Sequence, residues 1–241
     1  MSRVISWFSC GVTSAVATKL AINKYPDTIP VYCDTGSEHP DNARFLKDCE
    51  KWFGKEILIL KSKKYKDTWE VFESGYLVGV HGAKCTTELK KLVRREFEQP
   101  DDLQIFGFDI NEQKRAESFK SHNPEVSTWF PLIEDKLTKQ DCLNIVLMQQ
   151  IKLPPLYDLG FSHNNCIPCV KGGIKYFQMI KKLFPAEFER LGKIERRLGH
   201  SVLKDRRNGT KKPLYLDELD DSHKGRSKDM DIQCGLFCGE I

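Results

Sequence analysis

The sequence lacks the features that place a protein in a membrane or on the secretory pathway. No apolar run approaches the 18 residues of a membrane-spanning helix, and the segment from Met1 to Trp7 does not have the layout of a secretory signal. Internal repeats and low-complexity tracts are also absent. We therefore expect a cytoplasmic protein that has no membrane partner.

The cysteine content argues against a disulfide framework. Nine cysteines cannot all pair within one chain, and disulfides are rare in the cytosol. In a reducing compartment, closely spaced cysteines indicate metal ligation or thiol redox chemistry. The composition, 40% hydrophobic and 30% charged, is that of an ordinary globular protein. The net charge of +4 suits a protein that handles anionic nucleotides, but it does not require one.

Short apolar runs alternate with helical patterns through the first part of the chain. The predicted strands cover 4–8, 29–33, 56–60 and 103–108, and the predicted helices cover 15–24, 42–53, 87–98 and 138–150. Strands that alternate with helices indicate βαβ units. We predict an α/β fold, an open and mostly parallel sheet flanked by helices, in a nucleotide-binding domain over residues 1–153.

The composition changes after Pro155, where proline and glycine cluster around a pair of cysteines. Two basic amphipathic helices are predicted over 174–183 and 186–198, and the polar stretch 204–228 has the composition of a mobile loop. Residues 154–241 are therefore predicted to form a helical, cysteine-bearing C-terminal extension. The lysine and arginine clusters over 61–66 and 204–212 could form a nucleic-acid surface, although clusters of this size are more often solvated faces.

The first predicted strand leads into a turn that has the layout of a phosphate site. Ser9, Gly11 and Ser14 lie where the strand ends and a helix begins. Backbone N–H groups and the positive end of the helix dipole favour an anion there, Gly11 permits a close approach, and the two serines add hydroxyl donors. The alternative is that these residues only cap the helix.

A second polar loop follows the second predicted strand. Ligands of open α/β sheets lie beyond the carboxyl ends of the strands. Asp34 or Glu38 could therefore accept a hydrogen bond from a ribose hydroxyl or an adenine amine. The alternative role is an N-cap for the helix that begins near Asn42, and the two roles can coexist.

Two closely spaced cysteine pairs form the sharpest pattern in the sequence. Cys166 and Cys169 are one pair, Cys234 and Cys238 are the other, and Cys85 is a competing ligand or a separate thiol. Two such pairs suit a four-thiolate site for zinc or for an iron–sulfur cluster. Packing is the expected role for most of the other cysteines, which are Cys10, Cys33, Cys49 and Cys142.

These segments resemble the phosphoadenosine phosphosulfate reductase family, which belongs to the PP-loop adenine-nucleotide hydrolases. Ser9–Ser14 is similar to the loop SGGxDS, and Asp34–Gly36 is similar to the DTG after the second strand. Lys84–Lys90 resembles the segment where bacterial adenylylsulfate reductases have a cysteine pair and then a lysine. Gly107–Glu112 with Arg115 resembles the family segment in which a strand ends at a glycine and acidic and basic residues follow.

Two C-terminal segments carry the most specific part of the resemblance. Pro155–Cys169 is similar to the NPLYDxGYxSxGCxPC segment of reductases that hold a [4Fe–4S] cluster. Cys234–Leu236 resembles the CGL of the C-terminal ECGLH, whose cysteine attacks the sulfur of the sulfonucleotide. The resemblance therefore implies an adenine nucleotide or sulfonucleotide substrate, thiol-dependent reduction that releases sulfite, and a thioredoxin-like reductant.

The residue patterns and the resemblance together assign roles to individual side chains. The predicted nucleotide-binding residues are Ser9, Cys10, Gly11, Val12, Thr13, Ser14, Asp34, Thr35, Gly36, Glu38, Lys90, Gly107 and Arg115. The predicted cluster ligands are Cys85, Cys166 and Cys169, with Cys238 as a candidate fourth and zinc as the alternative metal. Cys234 would be the nucleophile, and Cys238 could instead resolve the intermediate that Cys234 forms.

The sequence departs from the family pattern at several positions. Lys84 stands where cluster-binding reductases have a second cysteine, so three of the four expected ligands remain. Thr13 stands where PP-loop enzymes usually have aspartate, and Gln233 and Phe237 replace the glutamate and histidine of ECGLH. Either a tail cysteine supplies the missing ligand, or three cysteines hold the cluster and leave one iron open.

Two other functions stay open. One is a PP-loop ATP pyrophosphatase that adenylates a nucleic-acid or small-molecule acceptor, with or without thiolation, and the basic helices between residues 175 and 197 favour it. The missing loop aspartate counts against it, because Mg²⁺·ATP chemistry usually uses carboxylates. The other is a non-catalytic nucleotide-binding protein.

Overall fold

A computed structural model describes residues 2–79, 82–209 and 211–232 of the chain. The strands are β1 (Val4–Phe8), β2 (Ile29–Asp34), β3 (Leu58–Lys61), β4 (Val78–Gly79), β5 (Gly82–Ala83), β6 (Leu103–Ile105), β7 (Thr128–Trp129), β8 (Leu203–Asp205) and β9 (Lys212–Leu214). The α-helices are α1 (Val12–Lys24), α2 (Asn42–Phe53), α3 (Thr68–Glu73), α4 (Lys84–Thr86), α5 (Leu92–Phe97), α6 (Gln113–His122), α7 (Pro131–Glu134), α8 (Lys139–Met148), α9 (Pro155–Asp158), α10 (Ile174–Leu183) and α11 (Pro185–Leu198). A π-helical stretch, Thr87–Lys91, joins α4 to α5.

Five strands form a parallel sheet in the order β3-β2-β1-β6-β7. On either side of β1, Ile5 pairs with Ile29 of β2 and with Gln104 of β6. The chain leaves β1 towards β2 and later returns on the opposite side at β6. The direction of winding therefore reverses between β1 and β6, and this reversal creates a crevice at the carboxyl ends of the two strands.

Two hydrophobic cores cover the two faces of the sheet, because successive side chains of β1 point to opposite faces. Phe8 packs with Phe45 of α2 and with residues of α1 and α8 on one face. Trp7 packs with Phe119 of α6 and with residues of α5 on the other. This layering confirms the predicted α/β fold with helices on both faces. In the described part of the chain, no helix is long and apolar enough to cross a membrane.

A third core belongs to the C-terminal part of the chain. Phe72 and Leu77 pack there with Phe177 of α10, Leu191 of α11 and Leu216. Phe72, Leu77 and Ala83 thus pack with elements that follow residue 155, although they come early in the sequence. The division into domains at residue 153 stays a prediction.

The stretch 204–228 contains more regular structure than its polar composition predicts. Its described residues include most of the β8–β9 hairpin and a 3₁₀ turn over Leu216–Glu218. The prediction of a continuous loop was wrong because Leu214, Leu216 and Leu219 are buried anchors among many charged side chains.

Candidate active site

A cavity of about 370 Å³ opens at the carboxyl ends of β1 and β6, where the winding of the sheet reverses. Its walls include Ser9 and Gly11 after β1, Glu38 after β2 and Gly107 after β6. We call it the active-site cavity. Because ligands of open α/β sheets bind at such reversal points, the topology alone marks it as the candidate site.

The loop between β1 and α1 presents the start of a helix to this cavity. Gly11 caps α1 without a side-chain hydrogen bond, and Gly11 and Thr13 line the cavity. The Ser14 hydroxyl donates to the Gly11 carbonyl at 2.9 Å and accepts from the Ser9 backbone N–H at 3.0 Å. Ser14 therefore holds the loop together, while the N-terminal backbone groups of α1 are the part suited to a phosphate.

Gly107 and Cys10 explain the tight geometry of this loop. A Cβ at Gly107 would lie 2.6 Å from both Cα and N of Ser14, so only glycine lets β6 approach α1 this closely. Cys10 has a φ of 58°, in the left-handed region that favours glycine. The similar loop SGGxDS has glycine at this position. Val12 and the Cys10 side chain are fully buried, and burial raises the pKa of the Cys10 thiol. Both side chains support the loop by packing.

The loop after β2 brings Glu38 to the cavity but leaves Asp34 outside its walls. Asp34 accepts a hydrogen bond from the Gly36 backbone at 2.8 Å and pairs with Lys61 at 2.9 Å. Burial raises the pKa of Glu38, and the nearby ammonium of Lys90 opposes this rise. Of the two acceptors that the sequence offers in this loop, Glu38 is the one positioned to contact a ligand.

Lys90, Arg115 and Lys139 contribute positive charge to the walls of the cavity. The Arg115 guanidinium lies 2.5 Å from the Glu112 carboxylate, which fixes its orientation. The Lys139 ammonium donates to the backbone carbonyl of Ser162, and burial lowers the pKa of Lys139. Cations held in place in this way are suited to phosphate and sulfate groups.

Asn164 places a buried amide in the same wall. Its Nδ2 donates to the Cys10 carbonyl at 2.7 Å and to Asn42 Oδ1 at 2.9 Å. Its Oδ1 has no hydrogen-bond partner among the described residues, although the side chain is only 8% exposed. A buried acceptor without a partner is costly unless a ligand or water satisfies it. Asn164 therefore supports the view that this cavity receives a ligand.

The last described residues form one side of the cavity. Asp231 and Ile232 both line it, and Asp231 Oδ1 lies 2.8 Å from Nε2 of His163. Burial lowers the pKa of His163. The predicted catalytic residues, Cys234 and Cys238, lie outside the described residues.

The cysteine loop, residues 162–173, docks on the loop that follows β2. The Ile167 backbone donates to the Ser37 carbonyl at 2.8 Å. Cys166 Sγ lies 3.0 Å from the Thr35 hydroxyl and 3.9 Å from Glu38 Oε1. Cys166 is therefore next to a carboxyl group that lines the active-site cavity.

The predicted metal ligands only partly come together. Cys169 is buried in the C-terminal core, and Cys85 packs against that core. Among the described residues, no three or more histidine, cysteine, aspartate or glutamate side chains are arranged to hold a metal ion. The described thiols therefore do not form the predicted site by themselves, and Cys238, the candidate fourth ligand, lies outside the described residues. The [4Fe–4S] cluster and the alternative zinc ion stay predictions.

The packing role predicted for most of the remaining cysteines agrees with their burial. Cys10, Cys33, Cys49 and Cys142 are each at most 5% exposed. Burial raises the pKa of Cys33 and Cys142 to about 12, so both are thiols rather than reactive thiolates near neutral pH.

Sequence reasoning missed Lys139, Asn164 and Asp231 as cavity residues. Lys139 follows Thr138, whose hydroxyl caps α8 by accepting from the Asp141 backbone at 3.2 Å. A lysine in the first turn of a predicted helix that follows a strand is a signal that could have identified Lys139. No comparable local pattern marks Asn164 or Asp231.

The sheet topology, the helix start at the reversal point and the cations around it define a nucleotide-binding protein with a PP-loop-like α/β fold. The family model of the phosphoadenosine phosphosulfate reductase domain matches residues 3–172. This chain belongs to that family.

Two known proteins show how far the similarity extends. An uncharacterized protein of Methanocaldococcus jannaschii is 24% identical over 203 residues, which cover 80% of this chain and 47% of that protein. The chain thus spans about half the length of this curated relative. The crystal structure of phosphoadenylyl-sulfate reductase from Candida auris, a phosphate complex, matches with a TM-score of 0.50 and 12% identity, over 69% of this chain and 82% of that chain. This structural match shows the fold alone.

Proposed function

We propose that the chain is a thiol-dependent reductase that binds an adenine sulfonucleotide in the active-site cavity and releases sulfite. The observation that carries the proposal is the course of the chain after α11. Asp231 and Ile232 line the cavity, and Cys234 follows two residues later in the sequence. The described part of the chain therefore ends at the cavity where a nucleotide would bind, and the tail thiols follow it in the sequence.

The cavity offers complementary groups for each part of such a substrate. The N-terminal backbone of α1 and the cations Lys90, Arg115 and Lys139 suit the phosphate and sulfate groups. Phe108, which is half-buried, lines the same cavity and offers aromatic surface to a purine ring. Glu38 is the candidate acceptor for a ribose hydroxyl or an adenine amine.

The proposed reaction has two steps. The Cys234 thiolate attacks the sulfuryl sulfur and forms a sulfur–sulfur bond, while the bond from that sulfur to the phosphate oxygen breaks and the nucleotide leaves with the electron pair. A second thiolate, from Cys238 or from a reduced thioredoxin-like protein, then attacks Cys234. Sulfite leaves as a disulfide forms, so two thiols supply the two electrons. The cations of the cavity would stabilise the anionic leaving group.

An iron–sulfur cluster, with zinc as the alternative, remains our proposed cofactor. Cys85, Cys166 and Cys169 would be its described ligands. Cys238 would complete the set if a thioredoxin-like protein resolves the intermediate, and three cysteines would leave one iron open if Cys238 resolves it. The contact between Cys166 and Glu38 supports a position for such a group beside the nucleotide. The iron, sulfide and zinc contents of anaerobically purified protein distinguish a cluster from a zinc ion and from no metal.

ATP pyrophosphatase activity is the second candidate. The start of α1 would accept the phosphates of ATP as readily as those of a sulfonucleotide. Asp109 and Glu112 also line the cavity, and carboxylates are the groups that Mg²⁺·ATP requires. Non-catalytic nucleotide binding is the outcome if neither reaction occurs.

The deciding experiment measures sulfite release from adenylyl sulfate and from its 3′-phosphorylated form, with reduced thioredoxin as electron donor. Cys234→Ala should lower the rate by roughly 10³-fold or more, because it removes the attacking atom. Cys142→Ala removes a buried thiol that does not line the cavity, and it should leave the rate within about twofold of wild type, in line with a residue that takes no part in the reaction. Full activity of the Cys234 variant would contradict our assignment of the nucleophile. Pyrophosphate release from ATP without sulfite release would favour the second candidate.

A further inference from the structure

A second cavity, of about 960 Å³, lies in the C-terminal part of the described chain. Its walls come from Val78 and Gly79 of β4, the start of α10, strand β8 and residues 222–229. We call it the C-terminal cavity. It shares no lining residue with the active-site cavity, so it is a separate site.

This cavity lies in the part of the chain that carries the positive charge. Residues 171–232 contain 16 lysines and arginines against 10 aspartates and glutamates, whereas residues 1–170 contain 22 against 23. The net charge of the whole chain therefore originates in the C-terminal part. Such asymmetry favours binding of a polyanion at the basic end.

The cations of the C-terminal cavity divide into two groups. Arg207 and Arg226 pair with the carboxylates of Asp205 and Asp229. Lys204, Arg206 and Lys224 also line the cavity, are exposed, and form no ion pair with a carboxylate of the described residues. The second group can therefore contact phosphates without first breaking an internal ion pair.

An aromatic pair contributes one ring to the walls of the same cavity. The ring of Tyr76, which is 38% exposed, stacks on His200 with the centroids 6.4 Å apart and the planes 25° apart. His200 lines the cavity and bonds the Val78 carbonyl at 2.7 Å, which fixes its ring. Exposed rings next to a basic groove are the arrangement on which proteins stack the bases of single strands.

We propose that the C-terminal cavity binds single-stranded nucleic acid. Lys204, Arg206 and Lys224 contact successive phosphates, and the Tyr76–His200 pair stacks with a base. Exposed cations suit a flexible polymer because each one can follow the backbone, and an unstacked base can reach the aromatic pair. This site is independent of the reaction proposed above.

The test measures fluorescence anisotropy of labelled single-stranded DNA and RNA of about 12 nucleotides with the full chain. A triple variant carries Lys204→Ala, Arg206→Ala and Lys224→Ala. Each phosphate contact contributes about 0.7 to the salt slope for single strands. Between about 50 and about 200 mM salt, wild-type affinity should therefore fall roughly 20-fold more than that of the triple variant.

The matched control triple carries Lys47→Ala, Lys55→Ala and Lys152→Ala, which remove the same charge from the other part of the chain. It should bind like wild type. Equal losses in the two triples would overturn the proposal, as would no binding by wild type at low salt. Equal affinity for duplex and single strand would also contradict it.

Tyr76 gives a second, independent test if the triple variant fails to fold. Tyr76→Ala should weaken single-strand binding about tenfold or more, whereas Tyr76→Phe keeps the ring and should bind within about twofold of wild type. Equal affinities of the two variants would show that no base stacks on Tyr76 and would overturn the site.

Discussion

The active-site cavity and the C-terminal cavity hold their positive charge in different ways. In the first, Arg115 is fixed by Glu112, and Lys139 is half-buried against a backbone carbonyl. In the second, Lys204, Arg206 and Lys224 extend from exposed positions. A small ligand that must be oriented for a reaction benefits from fixed donors. A polymer held by its phosphates benefits from mobile cations and a strong dependence on salt.

The two cavities also depend on different parts of the fold. The first depends on the close approach of β6 and α1 at Gly107. The second depends on the attachment of β8 and of the turn after β9 to α11, which the buried carboxylate of Glu195 provides. Each part can be perturbed separately, which allows the comparison to be tested.

Gly107→Ala should have the largest effect, and Gly107 lines the active-site cavity and not the C-terminal cavity. The added Cβ would meet the backbone of Ser14 at 2.6 Å, so β6 and α1 must separate. We expect a loss of about 3 kcal/mol in the free energy of unfolding and at least about 100-fold weaker binding of 3′-phosphoadenosine 5′-phosphosulfate. Chemical denaturation and titration calorimetry measure the two effects.

Gly192→Ala is the matched control. A Cβ at Gly192 would meet Leu216 Cβ at an ordinary 3.7 Å, and alanine in the interior of a helix is more stable than glycine by about 0.5–1 kcal/mol. The control should therefore stabilise the protein slightly. If Gly107→Ala bound the sulfonucleotide as tightly as wild type, the close approach of β6 and α1 would not be needed for binding.

A change of pH should weaken the C-terminal part through Glu195. This side chain is fully buried and accepts from the backbones of Val202 at 2.6 Å and Leu216 at 2.7 Å. Burial raises its pKa to about 7. Because the folded chain then holds a proton that the unfolded chain has lost, stability falls as the pH rises from about 4.5 to 7. The expected loss between pH 5 and pH 8 is roughly 2 kcal/mol.

Glu195→Gln should remove this pH dependence, although the amide places a donor against a backbone N–H and costs stability at every pH. Glu189→Gln, on the exposed side of the same helix, should keep the wild-type dependence. Denaturation at the two pH values compares the three proteins. The expectation would be contradicted if the free energy of unfolding of the wild type rose between pH 5 and pH 8 relative to that of Glu195→Gln.

Much of the active-site cavity follows from local sequence patterns. The strand of 4–8, the turn at Ser9–Ser14 and the polar loop after β2 are consecutive segments, and parallel strands bring their carboxyl ends to one edge. Asn164 and Asp231 were not predictable, because their position in the wall results from contacts between residues more than 60 apart in the sequence, such as that between His163 and Asp231. The choice between Asp34 and Glu38 likewise depends on a partner in another strand, Lys61.

The smallest effect is expected for Asp34→Asn, and it tests that choice. The Asp34 carboxylate pairs with Lys61, whose side chain is 69% exposed, and such a pair contributes at most about 1 kcal/mol. Because Asp34 does not line the active-site cavity, the variant should bind the sulfonucleotide within about twofold of wild type, whereas Glu38→Gln should bind about tenfold more weakly. Titration calorimetry compares them. If Asp34→Asn lost as much affinity as Glu38→Gln, the Asp34 side chain would have to leave Lys61 and contact the nucleotide on binding. The active-site cavity would then contain a side chain that moves, and its fixed side chains would no longer distinguish it from the C-terminal cavity.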